Sequence, residues 1–186
     1  MGRKLKVTEM GRLTLDEFKR SEKMPLVVVL DNVRSMYNVG SVFRTADAYR
    51  VERIVLCGIT ACPPHVEIHK TALGAEDSVE WTHCADTLQA VRQLQDEGYT
   101  VLAVEQAEGS IDLRELKVKS EKLRVKNGAE KYAVVLGNEV KGVQQQVVDA
   151  CDACLELPQF GTKHSLNVST TAGIVIWEMF KQLFNF

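Results

Sequence analysis

Three stretches of this 186-residue chain gather residues that could do chemistry, and each follows an apolar run. The first extends from Asp31 to Asp47 and carries Asn38, Gly40 and Arg44. The second is Leu136-Gly137-Asn138-Glu139-Val140-Lys141-Gly142. The third runs from Leu157 to Ser169 and carries Ser165, Leu166 and Asn167. None contains GxxxxGK[ST], GxGxxG or GxSxG, which disfavours a P-loop NTPase, a nicotinamide enzyme and a nucleophile-elbow hydrolase. Asn38 and Arg44 are six residues apart, about 600° of helical rotation, so they line adjacent faces at the start of a helix. Beside Val42 and Phe43, the Arg44 guanidinium needs an ion-pair partner, with Asp31 and Asp47 as candidates, or a ligand. Cys57, Cys62, His65 and His69 could make a zinc set, although Pro63-Pro64 interrupts them. Cys151-x-x-Cys154 allows a redox or zinc reading, but a single such pair is weak.

The elements that must position these residues follow from pattern. Thr14-Leu15-Asp16-Glu17 is a capping box that opens a short helix through about Lys23. Pro25 to Leu30, Arg53 to Cys57, Tyr99 to Val104 and Tyr132 to Leu136 are continuous runs of the kind buried on both faces of a parallel sheet. Ser78 to Trp81 and Ala153 to Leu157 are shorter strand candidates. Helical patterns alternate with them at Asn38–Tyr49, Asp86–Glu97, Val143–Ala150 and Ser165–Phe184. The last has Val168, Ala172, Val175, Ile176, Met179 and Leu183 as its apolar stripe. Alternating strand and helix predicts an α/β fold with a mainly parallel sheet flanked by helices, and ligands bind beyond the carboxyl ends of such strands.

Taken in order, the three stretches resemble the signature motifs of the SpoU/TrmH family of RNA ribose 2′-O-methyltransferases, in the SPOUT superfamily. Asn38-x-Gly40-Ser41-x-x-Arg44-Thr45-Ala46-Asp47-Ala48 is similar to the first, and Leu136-Gly137-Asn138-Glu139-x-x-Gly142 to the second. Leu157-Pro158 through Ser165-Leu166-Asn167-Val168-Ser169, with Glu178 downstream, is similar to the third. The loop from Pro63 to Glu76 also resembles the family, which accounts for Cys62, His65 and His69 without zinc. The resemblance extends from about Leu26 to Glu178.

It implies S-adenosylmethionine as methyl donor, a deep trefoil knot near the C-terminal end, and a homodimer in which the partner completes each site. By motif position, Leu136, Gly137 and Asn138 would hold the cofactor loop, Leu157 and Leu166 would flank the adenine, and Glu105 is a further cofactor candidate. Glycine suits such a loop because backbone approaches a ligand closely where no Cβ intervenes. Arg44 would be the catalytic arginine. Asn38 and Asn167 would orient it or the ribose, and Ser165 and Glu139 would fix the cofactor loop and the arginine. Two structural alternatives stand beside these roles. Glu139 could complement the dipole of the Val143 helix, and Ser165 could cap the last helix. The reaction is attack of a ribose 2′-oxygen on a sulfonium methyl, in which alignment contributes much of the acceleration. An arginine with a pKa above ~12 is a poor general base, so stabilising the alkoxide or gripping a phosphate is the alternative for Arg44. Gln159 and Thr170-Thr171 depart from the family pattern and are expected to leave the chemical residues untouched.

Composition agrees with a globular protein, 45% hydrophobic and 26% charged. The net charge of -2 is unevenly placed. Residues 1–24 hold seven basic against four acidic residues, and residues 117–131 hold six against two. Such segments on an acidic body can be a polyanion footprint. Arg34, Lys117, Lys119 and Lys122 are therefore RNA-binding candidates. The five cysteines fit a reducing compartment, no apolar run approaches ~20 residues, and the start lacks the apolar stretch of a secretory signal. A cytoplasmic enzyme is expected, with residues 1–24 a basic helical extension and residues 25–186 one methyltransferase domain. Its substrate would be tRNA or rRNA, with no membrane partner and no metal. The rival expectation is an RNA-binding or assembly protein that kept the fold without the activity.

Overall fold

A computed structural model of the protein describes residues 2–118 and 131–183. Its seven strands are β1 (Met24–Asp31), β2 (Val51–Cys57), β3 (Glu80–Cys84), β4 (Thr100–Val104), β5 (Ile111–Asp112), β6 (Tyr132–Leu136) and β7 (Ala153–Glu156). They form one sheet in the order β3-β2-β1-β6-β4-β7-β5, and every pairing is parallel. The expected α/β architecture is the one observed.

Alternation along each strand divides the interior in two, because successive side chains point to opposite faces. Leu26, Val28 and Leu30 of β1 join one core while Val27 and Val29 join the other. Tyr132, Val134 and Leu136 of β6 likewise oppose Ala133 and Val135. Helices α1 (Leu15–Arg20), α2 (Met36–Ala48), α3 (Val66–Ala72), α4 (Ala75–Ser78) and α7 (Val168–Leu183) cover the first face. Helices α5 (Thr87–Asp96) and α6 (Gln145–Ala150) cover the second.

Local signals placed most of these elements. The Thr14 hydroxyl accepts from the Glu17 N–H, and the Glu17 carboxylate accepts from the Thr14 N–H, so the capping box is formed. Five of the expected strands lie within two residues of their predicted ends. The segment Ser78–Trp81 is a partial miss. Ser78 closes the one-turn helix α4, its hydroxyl donating to Asp47 and to the Ala75 carbonyl, and β3 begins at Glu80. Helices α3 and α4 and the two-residue β5 were not expected. Only Ile68 and Ala72 of α3 are buried, too sparse an apolar pattern to announce a helix.

The glycine of the first motif serves helix packing. A Cβ on Gly40 would stand 2.2 Å from the Ile68 carbonyl oxygen and 2.2 Å from the Thr71 hydroxyl, so α2 and α3 touch backbone to backbone there. Among the described residues no helix is long and apolar enough to cross a membrane.

Candidate active site

The carboxyl ends of β4, β6 and β7 open into a cavity of about 600 Å³. Val104, Leu136 and Leu157, at or just past those ends, form its apolar base, and the walls are three loops. Glu105 and Gln106 leave β4, residues 137–143 leave β6, and residues 159–167 leave β7. Leu166 is 41% exposed at the mouth.

The 137–143 loop is tied at every turn. Asn138 and Gly142 exchange backbone hydrogen bonds of 3.1 and 2.9 Å. The Asn138 side-chain oxygen accepts from the Val140 and Lys141 N–H groups, and its amide nitrogen donates to the Asn32 carbonyl beyond β1. Glu105 accepts from the Val143 N–H at 2.9 Å and from the Gln106 N–H at 2.9 Å. Gly137 lies against the far side of this loop. A Cβ there would fall 2.1 Å from the Gly142 carbonyl carbon and 2.2 Å from the Val143 nitrogen.

A second set of bonds joins the three motifs. Glu139 accepts from the Arg34 N–H (3.0 Å), the Ser35 N–H (2.9 Å) and the Asn38 amide (3.0 Å). The Asn38 side-chain oxygen in turn accepts from the Asn167 amide at 3.1 Å. Asn167 also accepts, through its own oxygen, from the Ser169 and Thr170 N–H groups, and so caps α7. The oxygen and the nitrogen of each amide are both engaged, which orients both amides.

Burial pushes the Glu139 carboxyl up, but the bonds from Arg34, Ser35 and Asn38 outweigh it and hold the group below its ordinary value of 4.5. A carboxyl depressed in the folded state stabilises fully above that ordinary value, and the contribution is lost as pH falls through the lower folded value. Glu139→Ala leaves three donors without this acceptor, at a cost of about 1–3 kcal/mol. Urea unfolding is expected to show that deficit at neutral pH, and the gap from wild type is expected to shrink only below about pH 4.5.

The structure brings most of the sequence-predicted site together. Glu105, Leu136, Gly137, Asn138, Glu139 and Leu157 line the cavity, as do Ser165, Leu166 and Asn167. Asn38 sits one bond behind Glu139 and Asn167. Two structural alternatives are corrected. Ser165 does not cap the last helix, because α7 starts at Val168 and Asn167 is its cap. Glu139 faces the N-terminus of α2, where Ser35 is the cap, and not that of α6. Arg44 is exposed and six residues along α2 from Asn38, roughly 9 Å of helix, and it does not line the cavity. It pairs with neither Asp31 nor Asp47. Asp31 is buried and accepts from Thr87, Asn32 and Gln144, and Asp47 accepts from Ser78. Arg34 and Lys117 are exposed, whereas Lys119 and Lys122 lie outside the described residues.

Gln159 and Thr170-Thr171 were expected to leave the chemical residues untouched; Gln159 and Thr171 line the cavity, and the Thr170 and Thr171 N–H groups both donate to Asn167. Gln106 was missed. Its amide donates to the His164 carbonyl at 2.8 Å and so ties the β4 exit to the β7 loop. Its position directly after Glu105 at a strand exit was the available signal. Burial pushes the Cys151 thiol up to about 12 and raises Cys154, the opposite of the lowered value a reactive CxxC pair requires. Cys57 is also pushed up to about 12 by burial, His65 caps α3, and His69 pairs with Glu76. Among the described residues no group of three or more His, Cys, Asp or Glu side chains could hold a metal ion.

With that geometry established, comparison with known proteins identifies the class. The profile of the SpoU rRNA Methylase family matches residues 25–177, and the chain belongs to that family of RNA methyltransferases. The 23S rRNA (guanosine-2'-O-)-methyltransferase RlmB of Neisseria meningitidis serogroup B is 28% identical over 167 residues, which cover 90% of this chain and 62% of that protein. The AdoMet-bound rRNA methyltransferase of Sinorhizobium meliloti superposes with a TM-score of 0.77 at 28% identity, over 90% of this chain and 61% of the other. The A. aeolicus TrmH/SpoU tRNA modifying enzyme shares the fold, with a TM-score of 0.75 at 24% identity over 90% of this chain and 80% of that one. The chain spans about three fifths of the length of the curated relatives it matches.

Proposed function

We propose that the protein transfers the methyl group of S-adenosylmethionine to a ribose 2′-hydroxyl of tRNA or rRNA. The observation that carries this reading is the Glu139–Asn38–Asn167 chain, which ties all three motif segments together at the mouth of one cavity. The cofactor fits the residues present. The cavity lies in the ~300–1,000 Å³ range of small-ligand sites, and Leu136, Leu157 and Leu166 offer apolar walls to an adenine. Gly137 and Asn138 supply the backbone cradle, and Glu105 props the loop through the Val143 N–H. When bound, the cofactor supplies an electrophilic methyl on a sulfonium. Asn38 and Asn167 position the ribose and Glu139 holds both segments in register. Arg44, a permanent cation, stabilises the developing alkoxide or grips the neighbouring phosphate.

Two expectations come with this reading. Strand β6 enters between β1 and β4, and β7 between β4 and β5, an order that a C-terminal trefoil knot shares with unknotted parallel sheets. The rings of Tyr49, Trp177 and Phe180 cluster where α2 meets α7, with Trp177 47% and Ile174 41% exposed. That apolar face supports a homodimer in which Arg44 of one protomer reaches the cavity of its partner.

The deciding experiment is mass-spectrometric comparison of ribose methylation in total RNA from wild-type and deletion strains. A nucleotide methylated only in the wild type identifies the target, and identical profiles sink the enzyme reading. The exposed Lys117 is expected to contact RNA phosphate. Lys117→Ala should weaken RNA binding and lower the slope of log affinity against log salt by about one unit, with S-adenosylmethionine affinity unchanged. Filter binding across a salt series reads both, and an unaltered slope refutes the contact. The same assignment for Lys122 concerns a residue outside those described.

A further inference from the structure

Tyr37 stands in the first turn of α2, directly before Asn38, with 47% of its surface exposed. It belongs to neither hydrophobic core. The residue is nevertheless held in place. Its backbone carbonyl accepts from the Ser41 hydroxyl at 2.8 Å and from the Thr71 hydroxyl at 2.9 Å. Its phenol lies near the Glu67 carboxylate. Lys70 pairs with the same carboxylate at 2.7 Å, and its ammonium lies 5.9 Å from the Tyr37 ring centroid.

Cations outnumber acids around it. Tyr37, Ser41 and Arg44 follow one another at i, i+4 and i+7 and so share one face of α2. Arg34, also exposed, lies just before the helix cap; of the nearby acids, Glu67 pairs with Lys70 and Glu139 is taken up by the Arg34, Ser35 and Asn38 donors. A fixed, exposed aromatic ring among cations is how proteins hold an unstacked base, the ring taking the π-face and the cations the flanking phosphates.

We propose that Tyr37 is a stacking platform for an unpaired nucleobase of the RNA, next to Asn38, with Lys70 and Arg34 available to the adjoining phosphates. The proposal rests on the RNA-methyltransferase reading and deepens it. It specifies that the substrate presents a splayed base beside Asn38, as in a loop or bulge, and not a continuous duplex.

The test uses the full chain and a single-stranded RNA decamer with a central 2-aminopurine, whose fluorescence is quenched on stacking. Wild type is expected to bind and quench. Tyr37→Ala should bind about tenfold more weakly and lose the quench, as deletion of one base–aromatic stack predicts. Its melting temperature and S-adenosylmethionine affinity should match wild type, because the ring is outside the core. Tyr37→Phe should restore both binding and quench. If Tyr37→Ala quenches like wild type, the platform is refuted. If Tyr37→Phe is as weak as Tyr37→Ala, the hydroxyl and not stacking is responsible, which also overturns it. If the wild type binds no RNA at any salt concentration, the RNA reading itself falls and this inference falls with it.

Discussion

Arg44→Ala is expected to reduce methyl transfer by about 10²–10³-fold or more, the loss typical of removing one preorganised group that meets developing charge. S-adenosylmethionine should bind the variant as it binds wild type, because Arg44 is not among the residues that line its own chain's cavity, the proposed cofactor site. Among the described residues no ion pair or hydrogen bond engages its side chain, and Asp31 and Asp47 are both committed elsewhere. A buried structural arginine would show the reverse, a partner in the fold and a stability loss on removal. Arg44→Lys should not rescue, since an ammonium lacks the planar fork of donors that meets an oxyanion and a phosphate together. Single-turnover transfer of a labelled methyl, alongside calorimetric titration of the cofactor, separates the two effects. A variant that transfers at more than a tenth of the wild-type rate would remove Arg44 from the mechanism.

Gly137→Ala is expected to act in the opposite way, lowering S-adenosylmethionine affinity at least a hundredfold. The added methyl would sit 2.1 Å from the Gly142 carbonyl carbon, 2.2 Å from the Val143 nitrogen and 2.5 Å from the Gly142 oxygen. These are backbone atoms and cannot rotate away. They are further held by the Asn138–Gly142 pair of bonds and by Glu105 on the Val143 N–H. The loop must therefore shift as a unit, and the cradle shifts with it. Overpacking of this kind costs about 1–3 kcal/mol, so the chain should stay folded while the site is lost. Titration calorimetry reads the affinity and thermal melting the fold. An affinity within twofold of wild type would show that Gly137 does not shape the cofactor site. In the proposed homodimer the two variants complement each other: a mixed dimer of Arg44→Ala and Gly137→Ala protomers should recover transfer that neither homodimer performs.

Much of this site was legible in the chain because its parts are local. Apolar runs of β-branched residues marked β1, β2, β4 and β6, and Thr14 to Glu17 marked α1. Where two residues of similar type compete within a few positions, local reasoning loses discrimination. Ser165 and Asn167 are both cap formers, and the last helix takes Asn167 because its amide is also fixed by Asn38. Glu139 lies only a few residues before α6 in sequence, yet it serves α2. Strands β1 and β6 are hydrogen-bonded neighbours, so their exit loops lie side by side.

The sequence by itself determined the strand-and-helix alternation, the three glycine- and amide-bearing exits and the uneven charge, since each depends on residue type and short spacing. Only the tertiary structure decided which exits meet. The bonds from Asn38 to Glu139 and from Asn167 to Asn38 span 101 and 129 residues, and the strand order β3-β2-β1-β6-β4-β7-β5 brings those ends together. That order is set by packing two apolar faces at once, a property of the whole sheet and of no single segment. It also decided that Arg44 stands outside its own chain's cavity, a placement that no spacing along α2 could reveal.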